Sequence, residues 1–205
     1  MDFEDDGQNR TFSPNRYYDR HFAIQAVKIL PGEYFATRED TLIVTVLGSC
    51  VSVCLRDPKT NIGGMNHFLL PNDNVSTITA LSESARYGVY AMELLINQML
   101  KLGADKRRMQ AKVFGGANVL ASFNVGHIGE RNKEFVLEYL EAEHIPVLAS
   151  DLLDNFPRKV YFFPATGEVK VKKIRSLNNT TIIDRESEYR MRVRQAPKSG
   201  DVDLF

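Results

Sequence analysis

A cysteine on a tight turn and a histidine on a strand are the residues of this sequence best suited to chemistry. Cys50 follows Gly48-Ser49, and these three residues interrupt two β-branched runs. The thiol is therefore expected at a corner between strands, with backbone N–H groups close by. Such a corner exposes a nucleophile and offers donors to the oxyanion of an acyl transfer. A thiol also needs a base. His67 has the clearest strand context among the histidines, in Met65-Asn66-His67-Phe68-Leu69, where alternation sets Met65, His67 and Leu69 on one face. From type and spacing alone, a small core cysteine and a satisfied core histidine are the commoner outcome.

Other residues compete for attention. Cys54 lies four residues beyond Cys50 and on the same face, but between Val53 and Leu55 in mid-strand. Burial there would hold its thiol protonated and disfavour it as a nucleophile. Two cysteines without a second Cys or His pair at ligand spacing do not make a zinc site, so no metal is expected. Gly115-Gly116 ends a strand but lacks the longer glycine fingerprint of a nucleotide loop, and it reads as close backbone packing beside the site. Arg158, Lys159, Lys170, Lys172, Lys173 and Arg175 would form the solvated face of a hairpin or a dock for an acidic partner. Asn132, near the start of a helix, could serve the cap or the substrate, and the cap is expected.

The elements that position these residues follow from periodicity. Thr41–Leu47 and Val51–Leu55 are β-branched strands, Asp57-Pro58-Lys59-Thr60-Asn61 is turn chemistry, and Gly64–Leu70 is a third strand stopped by Pro71. Ser82–Leu102 is the clearest helix, with Ser82 as N-cap, a stripe at Ala85, Val89, Met92, Ile96 and Met99, and Gly103 beyond its end. Gln110–Phe114 is a strand, Glu130–Glu143 a second helix and Ile145–Ala149 another strand. Arg158–Phe163 and Val169–Ile174 form a hairpin. Several strands are joined by short turns, so the expected fold is α+β: a mixed α/β sandwich of mainly antiparallel or mixed sheets with two main helices.

Composition sets the frame. The chain has 205 residues, 43% apolar and 25% charged, which suits one globular domain. Residues 1–21 are polar and read as a flexible extension, 22–175 as the folded domain, and 176–205 as a polar C-terminal tail. Lys plus Arg and Asp plus Glu both number 26, so no net charge argues for nucleic acid as a partner. The acidic start does not suit a signal peptide, and Thr41–Leu55 is too short to span a bilayer. A cytoplasmic protein without membrane insertion is expected.

Read in order, the motifs resemble the chemoreceptor glutamine deamidase family, CheD. The resemblance runs through Leu47-Gly48-Ser49-Cys50-Val51 and Gly63-Gly64-Met65-Asn66-His67-Phe68-Leu69-Leu70-Pro71. It continues through Ala85-Arg86-Tyr87-Gly88, Ala91-Met92-Glu93, Ala111-Lys112-Val113-Phe114-Gly115-Gly116-Ala117 and Arg158-Lys159-Val160. It implies a cysteine hydrolase that converts receptor glutamines to glutamate, with Cys50 as nucleophile and His67 as general base and acid. Thr45 is the best match to the family's third residue, and Gly48 and Ser49 belong to the oxyanion turn. The resemblance further implies no cofactor, methyl-ester hydrolysis at the same positions, and the cytoplasmic helical region of chemotaxis receptors as substrate. The competing reading is a non-catalytic regulatory protein that binds a CheC-type phosphatase. One departure stands out: many members have a glycine pair after Asp-Leu, where this sequence has Asp151-Leu152-Leu153-Asp154. An imidazolium at His67 is expected to stabilise a Cys50 thiolate and so to speed its alkylation near neutral pH.

Overall fold

The β-branched runs flanking Gly48-Ser49-Cys50 become strands of two different sheets, so the chain crosses from one sheet to the other at that corner. The computed structural model of the chain describes residues 15–71, 78–118, 128–174, 187–189 and 191. One sheet contains β1 (Asn15–Asp19), β2 (Ile24–Lys28), β4 (Leu42–Leu47), β9 (Arg158–Phe163) and β10 (Glu168–Lys173), in the order β1-β2-β4-β9-β10. The other contains β3 (Tyr34–Thr37), β5 (Val51–Asp57), β6 (Ile62–Asn66), β7 (Gln110–Gly115) and β8 (Val147–Leu152), in the order β3-β6-β5-β7-β8. Each sheet has one parallel pair, β2 with β4 and β7 with β8, and is otherwise antiparallel. Helices α1 (Ile78–Lys101) and α2 (Ile128–Ala142) lie on the second sheet, α1 against β3 and β6 and α2 against β5 and β7. The mixed α+β sandwich read from the sequence is the observed architecture.

Side-chain alternation sorts the core into layers. Ile43 and Leu47 of β4 face the space between the sheets with Val27, Val160 and Phe162, while Leu42 and Val44 face the outside under Tyr17, Phe22 and Tyr161. On β5, Val51, Val53 and Leu55 face the helices, and Cys54 faces the inter-sheet layer together with Cys50. Period two therefore turns Thr45, between Ile43 and Leu47, into the same inter-sheet layer. On α1 the stripe Met92, Leu95, Ile96 and Met99 is buried against the second sheet, and Gly103 at φ +102° ends the helix in the left-handed conformation.

Several expectations change. The expected extension 1–21 contains a paired strand, since β1 aligns antiparallel with β2 from Asn15↔Lys28 to Asp19↔Ile24. Its polar residues alternate with Tyr17, which is enough for an edge strand whose other side meets water. α1 starts at Ile78, and Ser82 lies inside it rather than capping it. Serine is a mediocre but tolerated interior helix residue, so the turn before it stays helical. β6 stops at Asn66 rather than continuing to Leu70, because the Asn66 side chain takes over the ladder: Val53 N–H donates to Asn66 Oδ1 at 2.9 Å.

Candidate active site

The corner between β4 and β5 is held by its carbonyls. Gly48 C=O accepts from Ala117 N–H at 2.8 Å, Ser49 C=O from Asn132 Nδ2 at 2.9 Å, and Cys50 C=O from Gly116 N–H at 2.8 Å. The last contact needs glycine: Gly115 and Gly116 have φ of +113° and +66°, and a Cβ on Gly115 would stand 2.2 Å from the Cys50 oxygen. The strand end that carries Gly115-Gly116 thus presses its backbone on the residue that bears the thiol.

His67 reaches the same layer from the second sheet. Val51 and Phe68 exchange backbone hydrogen bonds at 2.9 and 3.0 Å, which fixes the register just beyond β6. Continued by one residue, that register makes His67 a diagonal neighbour of Cys50 on one face, a separation that long side chains bridge. The His67 backbone is pinned on its other side, with its N–H donating to Glu33 C=O at 2.9 Å and its C=O accepting from Gly32 N–H at 2.7 Å. Ahead of it, Asn66 is buried, and its Nδ2 donates to Ala91 C=O at 3.3 Å, tying the segment to α1.

The imidazole meets Thr45 across the sandwich, at 2.7 Å between Thr45 Oγ1 and His67 Nδ1. The tautomer follows from proton counting. The single hydroxyl proton of Thr45 is donated to Ile29 C=O at 2.9 Å, so toward the ring Oγ1 acts as an acceptor. Nδ1 then carries the ring proton and Nε2 carries the lone pair. That Nε2 is buried and has no hydrogen-bond partner among the described residues. Thr45 is 0% exposed, Cys50 0% and His67 2%. Burial pulls the His67 pKa down from its ordinary 6.5 to about 3. The resting imidazole is neutral. This corrects the expectation of an imidazolium stabilising a thiolate: a dry site opposes a standing positive charge.

Two tyrosines close the layer near the thiol. Tyr87 and Tyr189 hydrogen-bond through their hydroxyls, and burial first, then the field of Cys50, pushes the Tyr87 hydroxyl above the ordinary tyrosine range. Tyr189 is buried in the inter-sheet layer, with its ring so close to Gly32 that a Cβ there would stand 2.6 Å away. Part of the expected polar tail 176–205 therefore joins the core, because one aromatic ring in a charged segment suffices to dock it.

Arg158 corrects the reading of a solvated basic face. It is 0% exposed, pairs with Asp151 at 3.0 Å, and donates to Gly115 C=O and Leu153 C=O, although its Nε has no partner among the described residues. The loop it grips holds Leu153 and Asp154 at φ of +65° and +77°. The backbone thus keeps a left-handed pair where the resemblance expects glycines, at roughly 1 kcal/mol or more per residue. Lys170, by contrast, is exposed and pairs with Glu168.

Asn132 was expected as a helix cap and is a brace instead. It lies in the second turn of α2, fully buried, and joins Ser49 C=O to Leu70 N–H, the latter at 2.9 Å from its Oδ1. The signal for it was an asparagine on the apolar stripe Ile128, Val136 and Leu140. Cys54 shares the inter-sheet layer with Cys50, and burial pushes its thiol far up. Among the described residues no group of three or more His, Cys, Asp or Glu stands together to hold a metal. The assembled groups suit acyl transfer: a thiol at a fixed corner and a neutral imidazole with an unused lone pair in one water-poor layer.

Comparison with known proteins places the chain among named relatives. Residues 69–173 match the family model CheD, described as chemotactic sensory transduction. That span begins after His67, so it leaves the site geometry to stand on its own. The chain is 69% identical over 192 residues to the probable chemoreceptor glutamine deamidase CheD 1 of Shewanella oneidensis, covering 94% of this chain and 93% of that one. It is 55% identical to the protein of the same name from Dechloromonas aromatica, over 93% and 94%. A probable chemoreceptor glutamine deamidase CheD from Laribacter hongkongensis is 54% identical over 92% of each. The crystal structure of Bacillus licheniformis hypothetical protein YfiH superposes with a TM-score of 0.41 at 12% identity, over 60% of this chain and 51% of that one, a likeness too slight to inform the fold.

Proposed function

The chain belongs to the CheD family of chemotactic sensory transduction proteins, and from that premise we propose that it is a cysteine hydrolase deamidating chemoreceptor glutamines. One observation carries the assignment of roles: Thr45 spends its proton on Ile29 C=O, so the bond to His67 leaves Nε2 as the basic nitrogen. A base held this way is ready to accept the thiol proton of Cys50. Sulfur then attacks the carboxamide carbon of a receptor glutamine, and N–H groups of the Gly48–Cys50 corner receive the oxyanion. The C–N bond breaks as His67 returns the proton to the leaving nitrogen, and ammonia departs from a thioester. A water gives its proton to His67, attacks the thioester carbon and releases glutamate, and the sulfur regains its proton. No metal or organic cofactor enters this scheme.

The neutral resting imidazole supports general-base catalysis that begins when the carboxamide arrives, rather than a preformed ion pair. A methyl ester of glutamate would pass through the same thioester, so the site also suits ester hydrolysis. The substrate is the cytoplasmic helical region of chemotaxis receptors, which makes a cytoplasmic location part of this proposal. No helix among the described residues is long and apolar enough to cross a membrane. A purely regulatory role, binding a CheC-type phosphatase, gives no use to a buried base with a prepared lone pair. Mass spectrometry of a receptor cytoplasmic fragment tests the proposal. Glutamine-to-glutamate conversion should require the wild-type chain and be absent with Cys50→Ala; an unmodified fragment after incubation with folded wild-type protein refutes it.

A further inference from the structure

We infer that Asn132 is a positioning residue that aims the Cys50 peptide N–H at the oxyanion, an inference that rests on the deamidase reading above. A trans peptide is planar, so the Ser49 C=O and the Cys50 N–H lie in one plane and point in opposite directions. Holding that carbonyl holds the N–H. Among the described residues, backbone N–H groups hold the Gly48 and Cys50 carbonyls, and the Asn132 side chain holds that of Ser49. The middle peptide, the one that carries the Cys50 N–H, is therefore oriented from α2.

The choice of asparagine has a physical reason. The site needs a donor for Ser49 C=O and an acceptor for Leu70 N–H from one short side chain, both at 2.9 Å, and a carboxamide supplies both. An ionised carboxylate would supply only acceptors. Asn132 also occupies the i+4 position of a stripe otherwise made of Ile128, Val136 and Leu140, at 0% exposure. A poor helix former and a buried polar group both cost stability there, so packing alone would favour an apolar residue. Through Leu70, three residues past His67, the same amide ties the segment of the base to the segment of the nucleophile.

The test separates oxyanion alignment from general disruption. Asn132→Asp keeps shape and acceptor, but burial raises its carboxyl pKa, so the donor to Ser49 C=O is lost only where the pH is high enough to ionise it. At that pH, deamidation of a receptor fragment should lose ~100-fold in kcat with KM little changed, the loss typical of one oxyanion donor. Alkylation of Cys50 by iodoacetamide, a displacement at saturated carbon with no oxyanion, should stay near the wild-type rate. Relative kcat should recover as pH falls and the buried carboxyl regains a donating proton. Parallel loss of kcat and alkylation, or a kcat undiminished in folded Asn132→Asp at ionising pH or in folded Asn132→Ala, overturns the inference. Should Asn132→Asp not fold, Asn132→Ala carries the same comparison, and failure of both to fold assigns the residue to structure alone. A wild-type protein without deamidation would instead refute the functional reading, independently of Asn132.

Discussion

A buried ionisable group lies at each end of strand β5, Asp57 within it and His67 on the neighbouring segment after β6, and the two are treated in opposite ways. At its C-terminal end Asp57 is 0% exposed and fully answered: Arg108 donates from Nε at 3.0 Å and Nη2 at 2.6 Å, Asp105 N–H at 2.9 Å and Lys59 N–H at 3.0 Å. Its carboxyl is held far below the usual carboxylate range, first by the bond to Arg108. At the other end, beside Cys50, His67 is as deeply buried and yet its Nε2 has no partner among the described residues. An unmade hydrogen bond at a buried polar atom costs about 1–3 kcal/mol. The same strand thus shows that this fold can satisfy a buried charge, and that at the corner it leaves a base unsatisfied. A proton acceptor has to be left so.

The sharpest break of that comparison is at the nucleophile. Cys50→Ala should abolish deamidation, whereas Cys54→Ala, on the same face but in mid-strand, should keep most of it. Equal loss in two folded variants would remove the distinction between corner and strand. Next comes His67→Gln, expected to lower kcat by roughly 10³-fold, or about 4 kcal/mol. The same variant has a stability signature. With its folded pKa below its ordinary 6.5, His67 contributes fully above that pH. As pH falls from 6.5 toward about 3, the unfolded chain takes up a proton that the folded one declines, and stability drops. The slope is up to about 1.4 kcal/mol per pH unit. Denaturant titrations across this window should show that slope in wild type and not in His67→Gln.

Thr45→Val removes the hydroxyl that selects the tautomer and should cost about 10–100-fold in kcat, while Thr45→Ser, which keeps the hydroxyl, should retain most activity. A Thr45→Val enzyme with wild-type kcat would leave the tautomer to other groups. The smallest effect on turnover belongs to the opposite end. Asp57→Asn should destabilise by about 2 kcal/mol, with the half-exposed Arg108 reducing the penalty of a broken buried pair, and should leave kcat untouched. Its pH window also differs: the Asp57 contribution is full above about pH 4 and is lost only as pH falls further, because its folded pKa lies below the unfolded one. Coincident acid transitions in the two variants would erase the contrast between the ends.

Local pattern carried a good deal of this protein. Alternation in Thr41–Leu47 and Val51–Leu55 made β4 and β5 legible, the Asp57–Asn61 turn and the hairpin around Gly167 followed from turn chemistry, and the stripe ending at Met99 marked α1. The types at Cys50 and His67 were legible as well, since a thiol on a small-residue corner and a strand histidine are properties of short windows. What those windows lacked was partner identity. That β4 and β5 belong to different sheets, so that Thr45 faces His67 across the sandwich, depends on pairings between β4 and β9 and between β5 and β7, more than fifty residues apart in each case. Asn132, Arg158 and Tyr189 read as cap, surface charge and tail because their neighbours in sequence are polar. Their roles come from the segments packed on them, Ser49 and Leu70, Gly115 and Asp151, Gly32 and Tyr87. Sequence determined which groups were available and their local geometry; only tertiary packing decided which were desolvated, which were partnered, and which nitrogen of His67 kept its lone pair, because dielectric and hydrogen-bond supply are set by residues distant in the chain.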